Sequence, residues 1–348
     1  MNDIVKVGNK IKCVVWDLDN TVWDGILLED QEVRLRDGIV DIIKTLDKRG
    51  ILQSIASKND HKSTIEKLKE LGIAHYFIYP QINWNSKASS IQVIAKSINI
   101  GIDTLAFIDD QPFEREEVKF SVPEILCIDA AVLDGLLDMD EMNPRFITED
   151  SEHRRQVYLS DIERNNEEAN YVGAQEEFLA SLNMKFTVAL VGENDLQRVE
   201  ELTVRTHQLN ATGYTYSYEE LEQLRKSGTH KLFIAQLEDK FGTYGKIGFA
   251  MVECTEKIWT LKILIMSCRV MSRGVGSVLL NYIMTLAKKA NVRLQAEFVP
   301  TDKNRMMYIT YKFAGFKEIS ESENFIVFEN DLENISQLPN YLKVDFYQ

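Results

Sequence analysis

The segment from Cys13 to Thr21 constrains the fold of this chain more than any other. The residues before Asp17 are apolar on both faces and partly β-branched, which is typical of a buried strand in a parallel sheet. Asp17 and Asp19 follow, with one residue between them. Because open α/β sheets bind ligands at the carboxyl ends of their strands, the segment predicts a functional site at this point.

Asp17 and Asp19 indicate a cation site. Two like charges held this close repel one another unless a cation lies between them. Mg²⁺ is suitable, since it takes oxygen ligands and usually binds a substrate phosphate as well. The alternative is a strand end whose acidic side chains face water, and this motif alone leaves both interpretations open.

Length and composition indicate a soluble protein of two domains. The 348 residues exceed what one compact core holds, and 45% hydrophobic with 27% charged residues is typical of globular proteins. The net charge, 40 minus 54 or −14, argues against nucleic acid and an anionic membrane as partners. Scattered cysteines, the lack of a signal pattern and the lack of an 18-residue apolar run favour the cytoplasm.

Polar residues follow further predicted strands of the first half. The predicted elements are helix 37–49, strand 51–56, helix 61–71, strand 74–79, helix 87–96 and strand 104–108. Ser57 and Asn59 follow the strand 51–56, and Asp109 and Asp110 follow the strand 104–108. Lys87 begins a helix, where most lysines are solvated, and Ser57 or Asn59 is alternatively a helix cap.

In this order, the polar residues resemble the four motifs of the haloacid dehalogenase superfamily of phosphotransferases. The resemblance implies that Asp17 is the nucleophile and Asp19 the general acid and base. It implies a Mg²⁺ site formed by Asp17, Asp19, Asp109 and Asp110, and a phosphate site formed by Lys87, Ser57, Asn59 and Thr21. We expect a Rossmann-like domain over residues 1–145 with a parallel sheet. The short gaps between the motifs leave room only for a minimal cap.

The second half shows a different pattern after a helical connector, predicted over residues 146–185. The predicted strands are 186–191, 231–237, 245–253, 258–266, 292–298 and one after Gly315, with helices at 195–206, up to 287 and at 304–312. This order, with Gly274 and Gly276 before a helix, resembles the GCN5-related N-acetyltransferase (GNAT) fold, which binds the coenzyme A pyrophosphate at such a loop. We expect a GNAT-like domain over 186–330 and a tail over 331–348. The residue usually found three positions before the first glycine is replaced by Met271, and the alternative is a helix start packed closely on a strand.

Cys268 follows the long predicted strand 258–266. Most cysteines are buried and inert. Arg269, Arg273 and the nearby helix start favour a reactive thiolate here.

Taken together, about residues 10–330 resemble the FkbH-like family. The residues that carry this resemblance are Asp17–Thr21, Asp109–Glu114, Gln208–Asn210, Ser267–Val270 and Arg273–Gly274. The resemblance implies an enzyme that takes 1,3-bisphosphoglycerate, releases phosphate and loads the glyceryl unit onto the phosphopantetheine thiol of an acyl carrier protein. Cys268 would be the acyl relay, Gln208 and Asn210 would be substrate residues, and Arg273, Gly274 and Gly276 would hold pantetheine.

Two other functions remain open from the sequence. The first is a phosphatase fused to a genuine acetyl-CoA-dependent N-acetyltransferase acting on a sugar or an amino acid. The second is a non-catalytic adaptor for a carrier protein, with a relic phosphatase site.

Overall fold

The computed structural model describes residues 10–30, 32–322 and 324–347, apart from the side chain of Ser272. The chain divides into two compact units, and the boundary lies between Leu159 and Ser160. This boundary lies inside one long helix, within the helical connector predicted over residues 146–185.

The first unit contains seven strands and six α-helices among the described residues. The strands are β1 Cys13–Trp16, β2 Trp23–Asp24, β3 Arg34–Leu35, β4 Leu52–Ser57, β5 Gln81–Ile82, β6 Leu105–Asp109 and β7 Leu126–Asp129. The helices are α1 Ile39–Lys48, α2 His61–Glu70, α3 Lys87–Ile98, α4 Pro112–Ser121, α5 Glu149–Glu152 and α6 Arg154–Asn170, which crosses the unit boundary. Short 3₁₀ helices occupy Ala74–Tyr76, Ile102–Thr104, Ala130–Asp138 and Asp140–Met142.

Five of these strands form one parallel sheet in the order β5-β4-β1-β6-β7. The central strand β1 is fully buried, as its two-sided apolar run predicts. The Trp16 indole donates to Gln53 Oε1 at 3.1 Å, so the buried amide on β4 is satisfied. The predicted α/β class and the parallel sheet are therefore confirmed.

The predicted strand 74–79 is wrong. Residues Ala74–Tyr76 form a 3₁₀ helix, and Phe77 makes only an isolated bridge to Gln53. Tyr79 has a left-handed φ of 50°, and Pro80 has no N–H to donate to a neighbouring strand. These two residues interrupt the extended chain, so the edge strand β5 begins only after Pro80.

The segment after Thr21 forms a small flap. Strands β2 and β3 pair as an antiparallel hairpin. The remaining connections in the described part of this unit are short helices and turns, in agreement with the expectation of a minimal cap.

The second unit contains an eight-stranded mixed sheet. Its strands are β8 Lys185–Leu190, β9 His230–Asp239, β10 Gly242–Cys254, β11 Ile258–Met266, β12 Arg293–Phe298, β13 Lys317–Ser322, β14 Phe325–Asn330 and β15 Lys343–Phe346. Its further helices are α7 Gln175–Ser181, α8 Leu196–Arg205, α9 Tyr218–Lys226, α10 Val278–Lys289 and α11 Arg305–Phe313, with 3₁₀ helices at Glu193–Asp195 and Cys268–Arg273. The strand order is β13-β14-β12-β11-β10-β9-β8-β15, and the pairs β11–β12 and β8–β15 are parallel.

The predicted tail over 331–348 contains a strand of this sheet. β15 pairs with β8, and Phe346 stacks on Tyr282 with ring centroids 4.1 Å apart. The sequence gives no local sign of this strand, because it is short, half charged and pairs with residues 158 positions earlier.

Candidate active site

Asp17 and Asp109 lie at the carboxyl ends of the neighbouring strands β1 and β6. Asp17 directly follows β1 and its N–H donates to the carbonyl of Ile108 at 2.9 Å, while Asp109 is the last residue of β6. Both residues are buried, at 4% and 0% exposure. The parallel register therefore brings the two carboxylates to the same edge of the sheet.

Lys87 joins these two carboxylates. It is the first residue of α3, whose N-cap Ser86 accepts a hydrogen bond from Ser89 N–H. The Lys87 ammonium donates to Asp17 Oδ1 at 2.5 Å and to Asp109 Oδ2 at 2.9 Å. This lysine is buried rather than solvated, which distinguishes it from most lysines at helix starts.

Asp110 completes a group of three carboxylates suited to a metal ion. One carboxylate oxygen each from Asp17, Asp109 and Asp110 lies within 4.8 Å of the others. Asp110 Oδ1 is buried with no hydrogen-bond partner among the described residues, and the Asp110 N–H donates to Thr21 Oγ1 at 3.1 Å. The donors are all hard oxygens, and three carboxylates against one ammonium leave an excess of two negative charges. This set of donors fits one Mg²⁺ ion.

The pKa values of the group reflect this imbalance. Burial raises the pKa of Asp17 to about 7, an effect that the Lys87 ammonium opposes and the Asp109 carboxylate reinforces. Burial lowers the pKa of Lys87, but the two carboxylates outweigh burial, so its net pKa is raised. Burial and the charge of Asp109 raise the pKa of Asp110. The excess negative charge therefore favours binding of either a proton or a cation.

Asp19 is held by three N–H donors. Its Oδ1 accepts from the Trp23 indole at 2.8 Å and from the Leu27 backbone at 3.1 Å, and its Oδ2 accepts from Asn59 Nδ2 at 2.9 Å. Trp23 and Leu27 belong to the flap, whereas Asn59 follows β4. The flap and the neighbouring strand thus fix the orientation of this carboxylate.

Ser57 is the last residue of β4 and is 3% exposed. Its carbonyl accepts from Asn83 N–H at 3.1 Å, which holds the loop before α3 against β4. The structure therefore brings Asp17, Asp19, Ser57, Asn59 and Lys87 to one edge of the sheet, together with Thr21 and the pair Asp109–Asp110.

Sequence reasoning gave no site role to three charged residues beside this site. Lys58 donates to Glu114 Oε1 at 2.8 Å. Arg115 donates to the carbonyl of Asp109 at 2.8 Å and to Asp129 Oδ2 at 2.5 Å, so it holds the end of β6. Their positions in the sequence could have placed two of them near the site. Lys58 lies between Ser57 and Asn59, and Glu114 lies one helical turn after Asp110.

In the second unit, Asn210 is buried and Gln208 is exposed. Asn210 Oδ1 accepts from Thr212 N–H at 3.2 Å and Gly213 N–H at 2.9 Å, and Asn210 Nδ2 donates to the Tyr214 carbonyl at 3.3 Å. The Asn210 side chain thus shapes its own loop.

This loop also pairs with β11. β11 and β12 pair only over Ile258–Leu261 and Arg293–Ala296. Beyond that point, Met266 N–H donates to the Leu209 carbonyl at 3.0 Å and Ala211 N–H donates to the Leu264 carbonyl at 3.1 Å. The segment 209–211 therefore covers the edge of β11 that β12 leaves free.

Cys268 begins the 3₁₀ helix after β11 and is partly exposed. Arg273, at the other end of that helix, is 2% exposed and donates to Glu168 at 2.7 Å and to Asn165 at 3.0 Å. Its charge is therefore paired within the fold.

Gly274 and Gly276 lie between that 3₁₀ helix and α10. Gly274 has a φ of 69°, and a Cβ atom there would lie 2.1 Å from the Tyr341 hydroxyl. The positive φ and the close Tyr341 side chain therefore both favour glycine at this position.

Residues 20–117 match the family model of haloacid dehalogenase-like hydrolases. The matched part contains Lys87, Asp109 and Asp110, and it begins just after Asp19. No curated protein matches the chain at a significant level.

Solved structures similar to this chain fall into two groups. One is the N-terminal part of the protein BF1531 from Bacteroides fragilis, containing a phosphatase domain complexed with Mg, at 28% identity and a TM-score of 0.35, covering 39% of this chain and 42% of that chain. The chain thus spans about two fifths of the length of that structure. The second group includes the ribosomal-protein-S18-alanine N-acetyltransferase from Escherichia coli, at 17% identity and a TM-score of 0.34, covering 44% of this chain and 97% of that chain.

The PaiA N-acetyltransferase from Thermoplasma acidophilum, in complex with coenzyme A, is also similar, at 17% identity and a TM-score of 0.34, covering 42% of this chain and 98% of that chain. Within the described residues, every helix is too short or too polar to cross a bilayer.

Proposed function

We propose that the first unit is a Mg²⁺-dependent phosphatase in which Asp17 is the nucleophile. The observation that carries this proposal is the group of carboxylates from Asp17, Asp109 and Asp110, within 4.8 Å of one another and joined to the Lys87 ammonium. A Mg²⁺ ion held by these carboxylates would neutralise the negative charge of a transferring phosphoryl group.

The side chains then divide the reaction into two displacements. A carboxylate oxygen of Asp17 attacks phosphorus while the bond to the leaving oxygen breaks, which gives an aspartyl phosphate. Asp19 donates a proton to the leaving oxygen, and in the second step it accepts a proton from the attacking water. The bond between Asp17 and phosphorus breaks and inorganic phosphate leaves. Lys87 keeps Asp17 oriented through its 2.5 Å hydrogen bond.

We further propose that the substrate is a phosphorylated acyl donor such as 1,3-bisphosphoglycerate. The Cys268 sulfur attacks the acyl carbon, the bond to the acyl phosphate oxygen breaks, and phosphate leaves with that oxygen. The thiol of a carrier-protein phosphopantetheine then attacks the thioester and releases Cys268. The phosphatase site hydrolyses the remaining phosphate ester. Support comes from the sequence resemblance and from the partly exposed position of Cys268 at the end of β11.

Two measurements after incubation with 1,3-bisphosphoglycerate and Mg²⁺ test the two proposals. Phosphate release tests the phosphatase, and the intact mass of the protein tests the acyl relay through Cys268. We expect a glyceryl adduct on the full chain, its loss in Cys268→Ser, and phosphate release in both proteins. Phosphate release without an adduct would overturn the relay alone. A lack of metal-dependent phosphate release from any phosphate substrate would overturn the phosphatase. Acetyl transfer from acetyl-CoA to an amine, unchanged in Cys268→Ser, would instead indicate an N-acetyltransferase.

A further inference from the structure

Trp23 lies on the flap, and its side chain is fully buried beside the partly exposed Asp19. The Trp23 indole N–H donates to Asp19 Oδ1 at 2.8 Å. The Leu27 N–H, also on the flap, donates to the same oxygen at 3.1 Å. Asn59 Nδ2 donates to the other oxygen, Oδ2, at 2.9 Å. The two oxygens of this carboxylate therefore accept different numbers of hydrogen bonds.

This difference decides which oxygen of Asp19 is available to exchange a proton. A carboxylate oxygen has two lone-pair sites, so the two flap donors occupy Oδ1, whereas the described residues leave one site of Oδ2 open. A proton on Oδ1 would disturb the hydrogen bonds from both flap N–H groups. A proton on Oδ2 would disturb only the hydrogen bond from Asn59, so Oδ2 is the less costly position.

We propose that Trp23 is a positioning residue of the phosphatase, and that Asp19 exchanges its proton with the substrate through Oδ2 alone. The inference rests on the proposed phosphatase function and deepens it. In the first displacement, the O–H bond at Oδ2 breaks and the proton goes to the oxygen that leaves phosphorus. In the second, Oδ2 takes a proton from the water that attacks the aspartyl phosphate. While Oδ2 carries the proton, Oδ1 is the carbonyl oxygen and still accepts from the indole.

The flap therefore contributes to the orientation of Asp19. Both donors to Oδ1 lie on the flap, whereas Asn59 follows β4, so the carboxylate is held from two sides. The turn of the flap has a hydrogen bond of its own, since the Ile26 N–H donates to Asp30 Oδ2 at 2.6 Å. This bond lies next to Leu27 and fixes the backbone that presents the Leu27 N–H. The donors to Oδ1 are thus already in place in this structure.

A purely structural role of Trp23 would give a different result. Its ring packs in the core of the first unit, so a change that only loosened this core would lower the turnover of all phosphate esters alike. The loss of an oriented acid depends instead on the leaving group. The p-nitrophenolate ion is a weak base and leaves without a proton, whereas an alkoxide is a strong base and needs one.

The test compares kcat/KM for glycerol 1-phosphate and p-nitrophenyl phosphate, with the full chain and Mg²⁺, in the wild type and in Trp23→Phe. Phenylalanine keeps an aromatic ring but has no N–H. We expect kcat/KM for glycerol 1-phosphate to fall by about 10- to 100-fold, as expected for the loss of a hydrogen bond to a charged group. For p-nitrophenyl phosphate, the fall should be about threefold or less, because its leaving group needs no acid.

The matched control is Trp16→Phe. It removes a second buried indole N–H of the same unit, which donates to Gln53 Oε1 at 3.1 Å, and it should change the two substrates alike. If Trp23→Phe does not fold, replacement of Trp23 by benzothienylalanine takes its place. That side chain has nearly the same shape and carries sulfur in place of the N–H, and we expect the same selective loss.

Equal losses for both substrates in the Trp23 variant would overturn the positioning role and leave the phosphatase intact. A selective loss of the same size in Trp16→Phe would overturn the assignment to the bond between Trp23 and Asp19. A wild-type chain that releases phosphate from neither ester with Mg²⁺ would refute the phosphatase, and this inference with it.

Discussion

Each unit buries a cluster of charged side chains, and the two clusters differ in how their charges are satisfied. In the second unit, the fully buried Arg164 donates to Asp239 at 2.7 and 2.9 Å and to Asp161 at 2.7 Å, and lies 3.8 Å from the centre of the Tyr244 ring. In the first unit, the Lys87 ammonium faces two carboxylates, with a third close by.

The two clusters differ in how completely their hydrogen-bond donors and acceptors are paired. Every guanidinium nitrogen of Arg164 donates to an acceptor. Burial raises the pKa of Asp161, and the charges of Arg269, Arg164 and Arg273 oppose that rise. The site in the first unit has an unpartnered carboxylate oxygen on Asp110, and its three carboxylates share one ammonium. A buried charge cluster thus indicates a functional site when its charges are left unbalanced, and a structural one when its donors and acceptors match.

Asp17→Asn should have the largest effect, because it removes the proposed nucleophile while keeping the size of the side chain. We expect Mg²⁺-dependent phosphate release to fall by about 10⁴-fold or more. Far-ultraviolet circular dichroism should be unchanged. Turnover within tenfold of the wild-type rate would contradict the assignment of this cluster as catalytic.

Arg164→Met should act on stability alone. Removing Arg164 leaves the buried Asp239 carboxylate without its cation, so we expect the free energy of unfolding of the second unit to fall by about 3–5 kcal/mol. Denaturant unfolding measures this loss, and Arg164→Lys should recover part of it. A loss of phosphatase activity in this variant, measured under conditions where it stays folded, would contradict a purely structural role of the Arg164 cluster.

Mg²⁺ should stabilise only the first cluster. At a concentration about 100 times its dissociation constant, a ligand specific for the folded state stabilises that state by about 2.7 kcal/mol. We expect such a gain in the unfolding transition of the wild-type chain and its loss in Asp110→Asn. The Arg164→Met variant serves as the control and should keep the gain. Equal stabilisation of Asp110→Asn would show that the ion binds elsewhere.

The pH dependence should be the smallest of these effects when it is measured for a change of one pH unit. Without metal, the pKa of Asp17 is about 7 in the folded chain against an ordinary 3.8, so the folded state binds more protons than the unfolded state between these values. Stability of the metal-free chain therefore falls as the pH rises from about 4 to 7.

Because a proton and Mg²⁺ compete for Asp17, apparent Mg²⁺ affinity should rise by up to about tenfold per pH unit below 7 and level off above. Calorimetric titration at several pH values measures both the affinity and the protons released. An affinity that does not change between pH 5 and 7 would contradict the raised pKa of Asp17.

The sequence allowed the candidate site to be predicted where functional side chains directly follow the predicted strands. Asp17 and Asp109 could be predicted to lie together, because the carboxyl ends of adjacent parallel strands form one edge. Lys87 begins a helix, and only the superfamily resemblance placed it in the site. The α/β class followed from the buried runs alone. Individual roles in the reaction stay predictions.

Partners far apart in the sequence were not predictable. The Lys58–Glu114 pair joins residues 56 positions apart, and neither residue type is unusual in a loop or a helix. The pairing of 209–211 with β11 and of β15 with β8 likewise depends on register between distant segments, which local periodicity does not encode. Arg273 and Gly274 were assigned to pantetheine, and their packing against Glu168 and Tyr341 was equally invisible in the sequence.

The segment 209–211 has a kinetic consequence. It is fastened to the edge of β11 by two backbone hydrogen bonds, and Asn304 Nδ2 donates to the carbonyls of Asn210 and Ala211 at 3.0 and 3.3 Å. Any extended ligand arm that adds to this edge must wait until the segment detaches. The observed association rate of such a ligand would then reach a plateau as its concentration rises. The plateau would equal the rate at which the segment detaches from β11.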